Sequence, residues 1–208
     1  MSISKDFVMK NLDAMYPNAE CELVYHSNFE LLVAVILSAQ CTDKRVNMVC
    51  SELFEDCNKP EDFVNISLEE LEKRIKPCGF YHNKALSLKS ASYDIIEKFG
   101  GEVPSKFEDL ISLRGVGRKT ANVIISQAFK GDAFAVDTHV LRVSNRLGLV
   151  KTSNPDICEA NLRRIFPQNK WSKMHYQMVL FGRYTCKAIK PNCRECKFNE
   201  KCKSARLG

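Results

Sequence analysis

The 208-residue chain has few of the residues that mark fibrous or low-complexity proteins, with only nine glycines and seven prolines. With 45% hydrophobic residues, that scarcity excludes a collagenous or disordered chain and leaves an ordinary folded protein, long enough for one large domain or two small ones. Long hydrophobic runs are missing as well. The longest wholly apolar stretch, Leu31 to Leu37, falls far short of the roughly 20 residues that cross a bilayer and reads as a buried helix. The opening Met1-Ser2-Ile3-Ser4-Lys5-Asp6 has neither an apolar signal core nor an Arg-rich presequence, so the expectation is a cytoplasmic protein with no membrane partner.

Also absent is any sustained alternation of apolar and polar residues of the kind that makes half-buried strands. The apolar residues instead recur at helical steps, in Leu88, Ala91, Ile95 and Phe99, in Phe107, Leu110 and Ile111, and in Ala121, Ile124, Ile125 and Ala128. Each set makes one stripe of a helix, and the fold is predicted to be all-α. Ser105 with Glu108 reads as a capping box after Pro104, Asp137 or Thr138 as the cap of a later helix that Gly148 ends, and Asn154-Pro155 as the start of another. No internal repeat or flexible linker is visible.

Ten cysteines without an export signal argue against a disulfide framework. Six of them, Cys21, Cys41, Cys50, Cys57, Cys78 and Cys158, lie scattered among apolar neighbours and read as core fillers. The other four, Cys186, Cys193, Cys196 and Cys202, form C-x6-C-x2-C-x5-C within the last 23 residues. Four thiols so close in sequence, with little core around them, call for a metal centre; tetrahedral zinc and a four-iron cluster both suit four thiolates, and the spacing leaves the two open.

Acidic residues are in deficit, 25 against 31 Lys and Arg, for a formal charge of +6. After Tyr184 the imbalance concentrates in Lys187, Lys190, Arg194, Lys197, Lys201, Lys203 and Arg206, opposed only by Glu195 and Glu200. Such a balance suits a polyanion, because basic side chains that neutralise phosphates release condensed counterions; a solvated tail is the alternative. A second basic element is Leu113-Arg114-Gly115-Val116-Gly117-Arg118-Lys119-Thr120-Ala121. Gly115 and Gly117 permit a tight turn that exposes the amides of the next helix's first turn, where unpaired N–H groups and the positive dipole end attract a phosphate. A plain helix–turn–helix corner is the alternative, and the adjacent Arg118 and Lys119 favour phosphate.

These residues carry a resemblance. Leu113 to Ala121 resembles the helix-hairpin-helix of the endonuclease III family of DNA glycosylases, and Val136-Asp137-Thr138-His139-Val140 resembles that family's catalytic aspartate segment. The likeness continues through Leu37-Ser38-Ala39-Gln40, Thr42-Asp43 and the closing cysteines, and so spans almost the whole chain. It implies a two-domain helix-hairpin-helix glycosylase fold. Residues 21–132 would form a six-helix domain, with the hairpin at about 106–129, and 1–20 with 133–208 would form an iron–sulfur domain built from both chain ends.

The resemblance further implies base excision repair by a bifunctional DNA glycosylase and AP lyase acting on oxidised or ring-saturated pyrimidines and abasic sites in double-stranded DNA. The protein would be a monomer, nucleoid-associated if bacterial. Lys119 would attack the sugar C1′ as a neutral amine, the form favoured by the neighbouring Arg118, the helix N-terminus and a pocket closed by DNA. Asp137 would move protons and steady the positive sugar, and it could also simply cap a helix. Lys119 in turn could merely contact phosphate. Gln40 would fill the gap left by the flipped nucleotide, with Phe80, in the Cys78-Gly79-Phe80-Tyr81 loop, as a second wedge or else a core aromatic. The four closing cysteines would hold a structural 4Fe-4S cluster that aims Lys187 and Lys190 at phosphates. His139 is read as a surface residue without a role in proton transfer. Two other readings are a related glycosylase without lyase activity and a DNA-binding module without enzymatic activity.

Overall fold

The computed structural model describes residues 3–205, which contain eleven α-helices and no strand; Arg206, the last of the basic run, lies outside the described residues. Short polar caps start many of the helices. Ser4, Ser27 and Ser67 accept hydrogen bonds from the amides of Phe7, Glu30 and Glu70 and so open α1 (Lys5–Met15), α2 (Asn28–Leu37) and α5 (Leu68–Ile75). Asn154 accepts from Asp156 and Ile157 ahead of Pro155 at the head of α10 (Pro155–Ile165), as its sequence predicts. Asp137, rather than Thr138, caps α9 (Thr138–Arg146), and Gly148 turns the chain away with φ 72°.

Two local expectations need correction. No capping box forms at Ser105: α7 (Phe107–Ser112) begins with Lys106 at the capping position and no side-chain cap bond, so Ser105 and Glu108 lie one residue out of register. The same short helix buries Leu110 but leaves Ile111 44% exposed, because six residues make too few turns to cover both. The other two stripes hold at their centres and weaken at their ends: Leu88, Ala91 and Ile95 are buried and Phe99 half-buried, while Ala121 and Ile124 are buried and Ile125 and Ala128 half-buried.

The chain divides into two compact units, Glu22–Lys130 and Met1–Cys21 with Gly131–Gly208. In the first, α2 packs against α6 (Tyr81–Phe99) and α8 (Arg118–Ala128), and α6 packs against α4 (Pro60–Asn65) and α5. Every residue of α2 from Phe29 to Leu37 is buried, and all but Glu30, which accepts from the His26 amide, are apolar. Lys89, on α6, donates to the carbonyls of Phe63, Val64 and Ile66 and closes the end of α4. In the second unit, Val8 and Leu12 of α1 join α9, α10 and α11 (Trp171–Leu180) in one core that also holds Phe134, Phe181 and Phe198. No described helix is long and apolar enough to cross a membrane.

Candidate functional site

In the Glu22–Lys130 unit the hairpin is built by α7 and α8. Leu113 and Val116 are buried and anchor the turn, while Arg114, Gly115, Gly117, Arg118 and Lys119 are exposed. Gly117 is the capping residue of α8 and, as glycine, offers no side-chain cap to the first turn. The two glycines do different jobs. Gly115 has φ 85°, and a Cβ there would stand 2.7 Å from Ser87 Cβ; a Cβ on Gly117 would meet nothing within 4 Å. Arg118 lies over the Phe107 ring at 5.1 Å and braces α7 against α8. Lys119 occupies the second position of α8 and is exposed.

The different jobs of the glycines give different expected outcomes. Gly115→Ala places a side chain in left-handed backbone and against α6, and should destabilise by about 2–4 kcal/mol; thermal melting checks this. Gly117→Ala, at a capping position where alanine is poorer than glycine, should cost about 0.5–1 kcal/mol, less than Gly115→Ala, yet weaken DNA binding by crowding the first turn of α8, as a filter-binding titration would show. Equal melting temperatures for the two variants would refute the assignment.

Gln40, Phe80 and Gly115 come from three separate segments and line one groove, together with Ile36, Ala39, Asn83, Lys84 and Ser87, around an empty volume of about 480 Å³. Phe80 is 62% exposed, so it is not the core aromatic that sequence left as an alternative. Gln40 has φ 53° and Phe80 φ 49°. Left-handed backbone at a residue with a side chain costs about 1–2 kcal/mol, and such strain persists where surrounding structure holds it for a purpose. In the same unit, burial pushes the Cys50 thiol up to about 12 and the Cys78 thiol up to about 11. Cys57 and Cys158 are also buried, but Cys21 and Cys41 are only half-buried, so those two are not the core fillers expected. Both sit in connecting segments that tertiary packing covers on one side alone.

In the other unit, Asp137 follows the buried run Ala133–Val136. His175 hydrogen-bonds the Ala135 carbonyl at 2.8 Å, and the Asp137 carboxylate accepts from Val140 N at 2.8 Å. The segment is thus pinned on both sides of a half-buried carboxylate. His139 is not a surface residue: it is half-buried, its Nδ1 accepts from Arg142 at 3.1 Å, and a Cβ on Gly182 would stand 2.8 Å from its own Cβ. Burial pushes its pKa below the usual imidazole value; Asp137 opposes that shift, and Arg142 and Arg183 add to it.

Cys186, Cys193, Cys196 and Cys202 are half-buried and line one space, partly open to solvent, together with Phe181 and Phe198. Among the described residues no three His, Cys, Asp or Glu side chains stand close enough to hold a single metal ion. Arg146, which the sequence reading passed over, donates to the carbonyls of Lys187 at 2.6 Å and Ala188 at 3.0 Å and approaches Cys186 Sγ at 3.4 Å; Arg142 donates to the Cys186 carbonyl at 3.2 Å. Their four-residue spacing on α9 was the available signal. The clamped segment leaves Lys187 and Lys190 exposed, with Lys190 at φ 49°. Arg194, Lys197, Lys201 and Lys203 are exposed too.

Known proteins define the class first. Residues 33–168 match the family described as "HhH-GPD superfamily base excision DNA repair protein". Endonuclease III of Bacillus subtilis (strain 168) is 48% identical over 95% of this chain and 91% of its own. Two solved chains, a non-covalent endonuclease III–DNA complex and a trapped endonuclease III–DNA covalent intermediate, superpose with TM-scores of 0.94 and 0.93; each is 45% identical, and they cover 96% and 98% of this chain and 94% and 97% of their own. The chain belongs to the endonuclease III family and is accordingly a DNA glycosylase of base excision repair.

Proposed function

We propose that this glycosylase is bifunctional: it removes oxidised or ring-saturated pyrimidines from double-stranded DNA and then cleaves the strand at the abasic site. The observation that carries the reading is Lys119 itself, an exposed residue in the first turn of α8, directly behind a glycine turn at the positive end of a helix, which suits a phosphate. A hairpin that held only backbone phosphate would need its glycines and amides. A lysine at this point adds a nucleophile at the place where the sugar is presented.

In the proposed reaction the Lys119 amine, once neutral, bonds to C1′ as the C1′–base bond breaks, and the departing base takes up a proton. Ring opening gives an imine between lysine and sugar. The imine acidifies the adjacent sugar proton, and its removal expels the 3′ phosphate by β-elimination. Asp137 accepts and returns protons in these steps and opposes the positive charge that develops on the sugar. Gln40 and Phe80 fill the space that the flipped nucleotide leaves, which offsets part of the few kcal/mol of lost stacking. A covalent lysine–sugar adduct agrees with the solved relative described as a trapped covalent intermediate.

Cys186, Cys193, Cys196 and Cys202 are proposed to hold a 4Fe-4S cluster. Four thiols that line one space above the Phe181 and Phe198 rings have the donor chemistry of a four-iron cluster, which the family supports. When bound, the cluster would cross-link the end of the chain; Arg142 and Arg146 hold the intervening loop by its carbonyls, and Lys187 and Lys190 remain outside to meet phosphates. The protein is proposed to act as a monomer, in the cytoplasm or on the nucleoid if bacterial.

The test incubates the protein with abasic-site duplex and borohydride, which reduces an imine to a stable amine. A protein–DNA cross-link is expected. Robust base excision with no cross-link would leave the monofunctional glycosylase standing in its place.

A further inference from the structure

Lys84 was absent from the residues that sequence singled out, although it falls in step with Leu88, Ala91 and Ile95 on the apolar stripe of α6. It is 6% exposed. Its ammonium donates to the Leu37 carbonyl at 2.8 Å and the Cys78 carbonyl at 2.9 Å, and among the described residues those are its partners. Leu37 ends α2, three residues before Gln40, and Cys78 closes the 3-10 turn Lys76–Cys78, two residues before Phe80. One buried cation therefore ties together the roots of the two segments whose left-handed residues line the groove.

Lys89 provides the contrast. Five residues further along the same helix, it donates to three carbonyls that all belong to the end of α4, which is an ordinary closure of one helix terminus. Lys84 spans two segments some forty residues apart in sequence. Space alone would be filled better by a hydrophobe, since an ammonium must be desolvated to enter a core. Burial does push the Lys84 amine below the usual lysine value, against the partial compensation of the neighbouring Cys78 and Cys41 thiols. A lysine is kept there for what its three donors can join.

We infer that Lys84 is a positioning residue that fixes the Gln40 and Phe80 segments relative to each other, so that both enter the duplex together when a damaged nucleotide leaves it. The inference rests on the proposed reading of the groove as the DNA wedge. With the clip present, the two strained residues keep their left-handed backbone before DNA arrives. Without it, each segment can relax separately and insertion requires both to be ordered anew.

The test uses a duplex with a tetrahydrofuran abasic analogue opposite 2-aminopurine, which brightens when unstacked; this signal requires neither Lys119 nor any bond cleavage. Phe80→Ala is measured first. If it leaves the brightening unchanged, the wedge reading fails and the inference falls with it. If it lowers the brightening, Lys84→Met, which keeps the unbranched stem, is expected to lower it by about half or more and to slow single-turnover excision by about 10²-fold. Affinity for undamaged duplex should stay within about twofold, because backbone contacts are untouched. A merely structural lysine predicts the opposite split, with a lower melting temperature but full brightening and full excision rate from the folded fraction, and that result would overturn the inference. Should Lys84→Met not fold, Lys84→Gln replaces it: its amide is one atom shorter and reaches one carbonyl at most, and an unchanged signal again overturns the inference.

Discussion

Lys119→Ala should form no borohydride-dependent cross-link with abasic-site DNA and should lose strand cleavage by roughly 10³-fold or more, the scale on which removal of a nucleophile is felt. The result is readable because little else should change. Lys119 is exposed at the second position of α8, so alanine, the best helix former, removes no packing and should leave stability within about 0.5 kcal/mol. The competing role, a phosphate contact, predicts a separate signature. Affinity would weaken alike for damaged and undamaged duplex, the slope of log affinity against log salt would fall by about one, and trapping by the wild-type protein would have to come from another amine. A cross-link that survives in Lys119→Ala would move the nucleophile elsewhere. Because Lys119 is exposed, a bound strand would close over it, which makes the DNA itself part of the proposed chemistry.

Features written into a few adjacent residues were legible in the sequence. The Asp137 cap, the Asn154-Pro155 helix start, the turn at Gly148 and the tight hairpin each depend on local backbone chemistry, and all appear in the structure. Legibility fails where an outcome depends on what another segment covers. Ser105 and Glu108 have the right spacing for a cap, but α7 starts one residue later, with Lys106 at the capping position. His139 carries no sign in its neighbours that Gly182 will press against it, whereas the polar neighbours of Cys41, Gln40, Thr42 and Asp43, were a signal that it would end half-buried. The groove shows both kinds at once. Gln40, Phe80 and Gly115 were each marked by motif, but their assembly around one space depends on Ser87 and Lys84 of α6, and a buried lysine can be seen in a sequence only as a polar residue on an apolar stripe.

Asp137→Asn should lower base excision by about 10²–10⁴-fold, the usual worth of a positioned acid or base, while melting within a few tenths of a kcal/mol of the wild-type protein. The structure shows one job of this residue, and the proposed chemistry gives it a second. Its Oδ1 accepts from Val140 N at 2.8 Å and caps α9, and asparagine caps a helix about as well as aspartate because its carbonyl oxygen occupies the same place. What asparagine cannot do is take a proton or carry the negative charge that stabilises a positive sugar. Asp137→Ala removes both functions and should add about 1 kcal/mol of destabilisation to the same loss of activity. The pinned surroundings sharpen the comparison. Val136 and Val140 are buried on either side, and His175 holds the Ala135 carbonyl, so neither substitution leaves the segment free to find a new geometry. Paired single-turnover excision rates and thermal melts of the three proteins decide the matter: an asparagine variant with full activity would reduce Asp137 to a helix cap and leave the proton transfers to a group still to be found.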